Sequence, residues 1–462
     1  MLAMISDSHF EEERSDRIEG EGGSSLGFSR NAPARAFWRF VATLASEAER
    51  RRAERVDLVL AGDLFDFNRT DLWFSGEERP YHFGEDGSGS AVESKALEIL
   101  SAIAAEPEVA GSLEALRAFA SGRYVEDGEE REFPVPTALH YITGNHDRLA
   151  GATPRLRREI RRLVGLGGKD EPFPNQILFE DPRVLVRHGH EYDRYNFALD
   201  CGGMDEIPVE LPAAYYARPN LGDFITTEVA VGFPRVFREV YGDEEILADE
   251  TLAAVYLRLL EFDDLRPQSA LLNFLLNVGG SRLPEEEIWG LLEPVAGRIL
   301  DSIRESPFLL EEMERLERKG RPDVLDAVRA FLGLRGWRFG IPLGAARLYT
   351  RHAVREETGT GPVPFAARER ALRDGAVRFV VAGHTHDPRL ALLASDADDE
   401  RYFVDTGTWR SRIPSTPDLR EFGHLRTLTY VMVYGAKEGG GSPDGTESFD
   451  YWSGFSHRTS DG

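Results

Sequence analysis

Five short polar clusters, each set directly behind an apolar run, constrain this chain more than any other feature. They are Asp7-Ser8-His9, Gly62-Asp63 with Asp66, Gly144-Asn145-His146-Asp147, His188-Gly189-His190 and Gly383-His384-Thr385-His386. The runs ahead of them, residues 2–5, 56–61, 138–142, 184–186 and 379–382, are short and largely aliphatic. Short apolar segments ended by glycine or a polar residue read as buried strands of a central sheet. Side chains just past the carboxyl ends of such strands converge on one crevice, where α/β sheets hold their ligands. Six of the eleven histidines, His9, His146, His188, His190, His384 and His386, fall at these ends.

Metal chemistry accounts for that clustering. Carboxylate oxygen and imidazole nitrogen together suit Mn, Fe or Zn better than Ca or Mg. Asp7 and His9 stand two apart, so an extended backbone would send both to one face. His384 and His386 share that spacing, with Thr385 turned away. These donors outnumber one coordination sphere. Two ions sharing a bridging carboxylate, about 3.5–4 Å apart, is the simplest arrangement, and it recurs in phosphatases and nucleases.

Taken in order, D-x-H, G-D-x-x-D, G-N-H-D, H-G-H and G-H-T-H resemble the motif series of the calcineurin-like metallophosphoesterase superfamily. The resemblance spans residues 7–386 but covers neither the segment between His190 and His384 nor the end of the chain. It implies an α/β fold, a four-layer α/β/β/α sandwich of two mixed sheets. It assigns one ion to Asp7, His9 and His386, and a second to Asn145, His384 and a histidine of the fourth motif, with Asp63 bridging. Family members with H-G-G or H-G-D use the first histidine, which points to His188. His190 is the rival, because H-G-H offers two. By the same resemblance His146 is a non-ligand catalytic histidine, Asp147 the carboxylate that orients it, and Asp66 a support for a ligand or the loop.

The implied reaction is hydrolysis of a phosphate ester or anhydride by a metal-bridging hydroxide, with His146 assisting the leaving group. Two divalent ions are expected, Mn first, with Fe or Zn as the other candidates. Arg148, Arg187, Arg194 and Arg389 flank the motifs and are candidate phosphate clamps. For His82, His140, His352, His424 and His457 a surface or hydrogen-bonded role is the simpler expectation.

The expected substrate is a small or lipid-linked phosphorylated molecule. A nuclease is the catalytic alternative, but a net charge of −25, from 80 acidic and 55 basic residues, repels polyanions. A metal-bound scaffold without activity is the other alternative; such proteins lose a ligand or the catalytic histidine, and none is missing here. The single Cys201 excludes an internal disulfide and fits a reducing compartment. The first motif strand begins at Leu2, no apolar run approaches the ~20 residues of a membrane span, and a cytoplasmic protein is expected.

The 462 residues divide into a core (1–195), a helical insertion (196–370), a second core part (371–436) and a flexible tail (437–462). Within the insertion Ile288, Leu291, Leu292, Val295, Ile299 and Ile303 keep a helical stripe behind Pro284 and three glutamates. Pro294 should kink or split that helix. Residues 252–260 and 324–332 show similar patterns. Rooted beside two motifs, the insertion is expected to overhang the crevice as a substrate-selecting cap that adds no metal ligand. Residues 11–32 and 71–89 read as polar loops, the former mobile, and 92–121 as helical. Residues 402–404, ahead of Asp405-Thr406-Gly407-Thr408, and 426–434 read as closing strands. In the tail Phe449, Tyr451, Trp452 and Phe455 are aromatics that could dock on the body.

Overall fold

The computed structural model describes residues 1–83, 90–193, 195–197, 204–266, 270–278, 284–318, 361–396, 399–438 and 447–457, with short pieces of 326–346. The strands, numbered along the chain, are β1 (Leu2–Ile5), β2 (Ile18–Glu19), β3 (Ser25–Leu26), β4 (Val56–Ala61), β5 (Arg123–Glu126), β6 (Glu129–Glu132), β7 (Thr137–Ile142) and β8 (Gln176–Phe179). They continue as β9 (Val184–Arg187), β10 (Leu265–Arg266), β11 (Phe379–Ala382), β12 (Arg389–Ser395), β13 (Glu400–Asp405), β14 (Ser411–Pro414), β15 (Leu425–Tyr434) and β16 (Ser448–His457). Two mixed sheets carry the fold, in the orders β10-β14-β15-β1-β4-β7, with β16 also paired to β15, and β12-β13-β11-β9-β8.

The five motif strands came out where their apolar runs placed them. Alternate residues of β1 face opposite sides: Ala3 and Ile5 join the core under the helices, while Leu2 and Met4 join Val59, Val184, Val186, Phe379 and Val381 in a cluster drawn from both sheets. Burial on both faces is what makes such strands uniformly apolar rather than alternating. β1, β4 and β7 are parallel and in register, Ile5 beside Leu60 and Ala61 beside Ile142. β9 and β11 are likewise parallel. Their carboxyl ends therefore open on one edge of the molecule.

Helices α1 (Ala34–Arg51), α2 (Ala91–Ala105), α3 (Pro107–Ala120) and α4 (Pro154–Val164) bury their apolar sides on the first sheet. The helical stretch expected at 92–121 is thus two helices, parted at Pro107. Proline has no backbone N–H and disfavours a helical residue before it; Glu106 is extended there.

Two expectations about loops and tail are corrected. The stretch 11–32 is tied down rather than mobile: Glu11, Glu12 and Glu13 are all buried. Glu13 accepts from the Arg30 and Asn31 backbone N–H groups, Glu12 from Ser15 and Thr70, and Glu11 pairs with Arg30. The tail is not flexible throughout either. Its residues 448–457 form β16, paired with β15 along its whole length. Phe449 packs on Phe379 and Tyr402, Tyr451 donates to the Asp405 carbonyl, and Trp452 stacks on Tyr430. Residues 439–446 and 458–462 lie outside the described residues, as do Cys201 and 84–89 of the second polar loop.

The insertion carries α5 (Ala213–Ala217), α6 (Leu221–Phe224), α7 (Gly232–Tyr241), α8 (Asp243–Ala248), α9 (Glu250–Glu261), α10 (Leu271–Leu276), α11 (Glu285–Arg304) and α12 (Pro307–Arg318). The stripe of α11 is buried in a separate apolar cluster with Leu259, Phe237 and Phe274. Pro294 does not split α11, which runs as one helix through it. The carbonyl it deprives of a partner belongs to Gly290, an exposed residue, where solvent can replace the lost bond. Of the 324–332 pattern, Val324 and most neighbours lie outside the described residues. The insertion is also joined to the first sheet: β10 pairs in parallel with β14, Leu265 beside Ile413.

Candidate metal centre

Past the strand ends the backbone turns sharply. Asp7, His9, Asp63, His384 and His386 have φ of 53°, 43°, 51°, 72° and 57°. That left-handed region is sterically poor for residues with a Cβ, and each costs on the order of 1–3 kcal/mol. Strand alternation therefore does not align Asp7 with His9, nor His384 with His386; successive left-handed turns aim them. Two motif glycines are there because the site is tight. A Cβ on Gly62, itself at φ 92°, would sit 2.4 Å from His188 Nδ1, and one on Gly144 would sit 2.1 Å from Asp63 Oδ1.

Three sets of donor atoms converge: Asp7, His9 and His386; His9, Asp63 and His146; Asp63, His188 and His384. Asp63 belongs to two of them. His188 Nε2 lies 3.1 Å from Asp63 Oδ2 and 3.2 Å from Asn145 Oδ1. His9 Nε2 lies 3.0 Å from His386 Nε2 and 3.7 Å from both Asp7 Oδ1 and Asp63 Oδ2. Asp7 Oδ1 is buried and has no hydrogen-bond donor. Asp7 Oδ2 instead accepts from Ser6 and from the His384 backbone.

The proton inventory shows what this donor set asks for. His188 Nδ1 donates to the Ala61 carbonyl at 2.9 Å, so Nε2 offers a lone pair toward two oxygens that also offer lone pairs. Such a meeting needs a cation or a proton. Burial opposes a charged His188, but the Asp63 and Asp7 carboxylates outweigh it and push its pKa to about 10. Burial raises Asp63, yet His188, His146 and His9 hold it well below the usual carboxylate range. The donors around Asp63 and His188 could thus hold a metal ion in place of that proton. His9 Nδ1 donates to Asp66 Oδ2 at 3.0 Å, which frees its Nε2 in the same way. At His386 an arginine intervenes: Arg266 Nη2 donates to His386 Nδ1 at 2.9 Å. Guanidinium only donates, so this contact leaves the proton on His386 Nε2, facing His9. For His386 Nε2 to take an ion, Arg266 must move off Nδ1.

The carboxylate that holds the His146 ring is Asp66, not Asp147. Asp66 Oδ1 lies 2.9 Å from His146 Nδ1. Asp147 accepts from Leu64 N, Tyr141 Oη and Gly144 N at 2.9, 2.5 and 2.5 Å, fixing the loops after β4 and β7. Burial and the Asp63 charge raise Asp147 to about 6 against the pull of Tyr141 and Gly144. Burial works against the His146 proton, but Asp66 and Asp63 prevail and raise it to about 10.

Of the two histidines of the fourth motif, His188 falls in a donor set, with Asp63 and His384. His190 is one step removed, its ring 5.2 Å from that of His188 and packed on Phe197 and Tyr216. Its Nδ1 is buried without a hydrogen-bond partner, and burial pushes its pKa down to about 4. It belongs to none of the three donor sets.

Several site residues had no part in the sequence reading. Asp193 Oδ2 lies 2.9 Å from His384 Nε2, and Asn196 donates to Asp193 while accepting from Asn145 Nδ2 at 3.3 Å. This chain turns the Asn145 amide so that its oxygen faces His188. Asp193 follows His190 by three residues, which is the only local signal it offered. The flanking arginines do not approach the centre as clamps. Arg148 is buried on Asp223, Arg187 is buried on Glu369, and Arg389 is exposed on Asp387. Arg194 lies outside the described residues. His140 pairs with Asp57 at 2.7 Å and His424 stands 3.5 Å from Glu261, while His352 and the His457 side chain lie outside the described residues. Among the described residues no helix is long and apolar enough to cross a membrane. The chain matches no family model, and no curated protein matches it.

Proposed function

We propose that the chain is a dinuclear-metal phosphoesterase acting on a small or lipid-linked phosphorylated substrate. The position of Asp63 carries this reading: it shares one donor set with His188 and His384 and another with His9, itself a member of the Asp7, His9 and His386 set, and a carboxylate so placed is what two neighbouring cations require. One ion would be held by Asp7, His9, Asp63 and His386, the other by Asp63, Asn145, His188 and His384. When bound, two such cations offset phosphate charge and acidify water near neutral pH. The chain's own contribution is proton handling and alignment. Asp66 fixes His146 through Nδ1, leaving Nε2 to donate to a departing alkoxide. Asp193 and Asn196 orient His384 and Asn145.

The same reading takes the architecture as a four-layer α/β/β/α sandwich, supported by the apolar cluster common to both sheets and the helices over the first. Residues 196–370 serve in it as a cap, its apolar cluster taking in Ile18, Tyr81 and Ile413 from outside that segment. The test is direct. Protein loaded with Mn should contain two ions per chain and hydrolyse an aryl phosphate mono- or diester. A metal-loaded, folded chain inactive on both would sink the proposal.

A further inference from the structure

The geometry points to Arg266, carried by the insertion, as the residue that grips the phosphoryl group of the substrate; the inference rests on the phosphoesterase reading for what the bound phosphate is part of. Pairing of β10 with β14 sets Arg266 beside Pro414 and fixes its backbone at the edge of the first sheet. From there Nη2 reaches the His386 ring at 2.9 Å, while Nη1 donates to the carbonyls of Asp263 and Leu265, each at 2.8 Å. All three partners are neutral groups. Its neighbours differ: Arg410 pairs with Asp264 at 2.5 Å, Arg412 with Asp387 at 2.8 Å, and Arg69 approaches Asp263 at 3.7 Å.

Among the described residues no carboxylate lies within ion-pair distance of this half-buried guanidinium; those of Asp263 and Asp264 act on it only from further off, offset by Arg410 and Arg412, and a cation left without a direct counter-ion is costly. With no carboxylate in direct contact among the described residues, this guanidinium at the donor cluster is placed to take an anion. A tetrahedral phosphoryl dianion supplies two oxygens at the fork spacing of guanidinium. An ion on His386 Nε2 requires Arg266 to leave Nδ1, which frees Nη2 beside the metal centre for the incoming phosphate.

The experiment measures inorganic phosphate binding by calorimetry on the full-length, Mn-loaded chain, for wild type, Arg266→Ala and Arg266→Lys, with metal content determined on the same samples. Wild type should bind phosphate, Arg266→Ala at least ~10-fold more weakly, and Arg266→Lys in between, because a point charge replaces a fork. Metal content should be equal in all three, and KM for an aryl phosphate should rise more than kcat falls. If Arg266→Ala does not fold, Arg266→Gln takes its place. Equal phosphate affinity in the variants, no phosphate binding by wild type, or loss of metal from Arg266→Ala would each overturn the assignment. Arg266-dependent phosphate binding without any ester hydrolysis would instead sink the phosphoesterase reading and leave the anion site standing.

Discussion

One carboxylate, Asp66, holds the His146 ring at 2.9 Å through Oδ1 and the His9 ring at 3.0 Å through Oδ2. A proposed metal ligand and the proposed proton donor are therefore set by a single side chain. Asp66→Asn keeps the size but can accept from only one of the two imidazoles. Its kcat on an aryl phosphate should fall on the order of 10–100-fold, as loss of such outer partners does, with the far-UV circular dichroism unchanged. An unaltered kcat would mean that the two rings are positioned by packing alone.

Asp63 faces both His188 and His9, at 3.1 and 3.7 Å. Asp63→Asn should therefore cost both ions, whereas Asp7→Asn should cost the one near His9 and His386. Elemental analysis of the purified variants decides this, and full occupancy in Asp63→Asn would remove the bridging role.

His188 and His190 should separate cleanly. His188→Ala should lower metal content, because its Nε2 is the nitrogen aimed at Asp63. His190→Phe should keep both ions, because its ring already sits in an aromatic pocket of Phe197 and Tyr216. Metal loss in the second variant with retention in the first would reverse the assignment.

Asp71 offers a pH-dependent test away from the centre. Burial raises its pKa from 3.8 to about 6, with Arg235 Nε, 3.8 Å away, only partly offsetting it. The folded state thus holds the proton more tightly than the unfolded one. Stability falls as pH rises from about 4 to about 6, and the penalty is complete above that. Asp71→Asn should stabilise the protein at pH 8 by about 1–2 kcal/mol, allowing for solvent screening, and change little at pH 4. Chemical denaturation at the two pH values measures it; equal effects at both would show that the carboxylate is not protonated on folding.

The strand positions were legible because a buried strand ended by a polar turn is a local pattern, readable over about ten residues. β16 was missed although Phe449, Tyr451 and Phe455 mark alternate positions, since the glycines and polar residues before it read as the start of a disordered tail. The burial of Glu11, Glu12 and Glu13 was not legible. Their local composition is that of a solvated loop, and only Arg30, Thr70 and other residues brought in by folding make the interior tolerable for them.

By itself, then, the sequence determined the motif strands, the donor residues behind them and the helical character of the insertion, all properties of contiguous segments. The tertiary structure decided which partner each donor has. The adjacent Asp147 was expected to orient His146, yet folding brings Asp66 to that ring and ties Asp147 to Leu64, Tyr141 and Gly144. Arg148 and Arg187 adjoin motif residues yet point to Asp223 and Glu369, while Arg266, 120 residues from His386, arrives through strand pairing. Side-chain direction follows from backbone dihedrals and long-range packing, and neither is written in the spacing of residues along the chain.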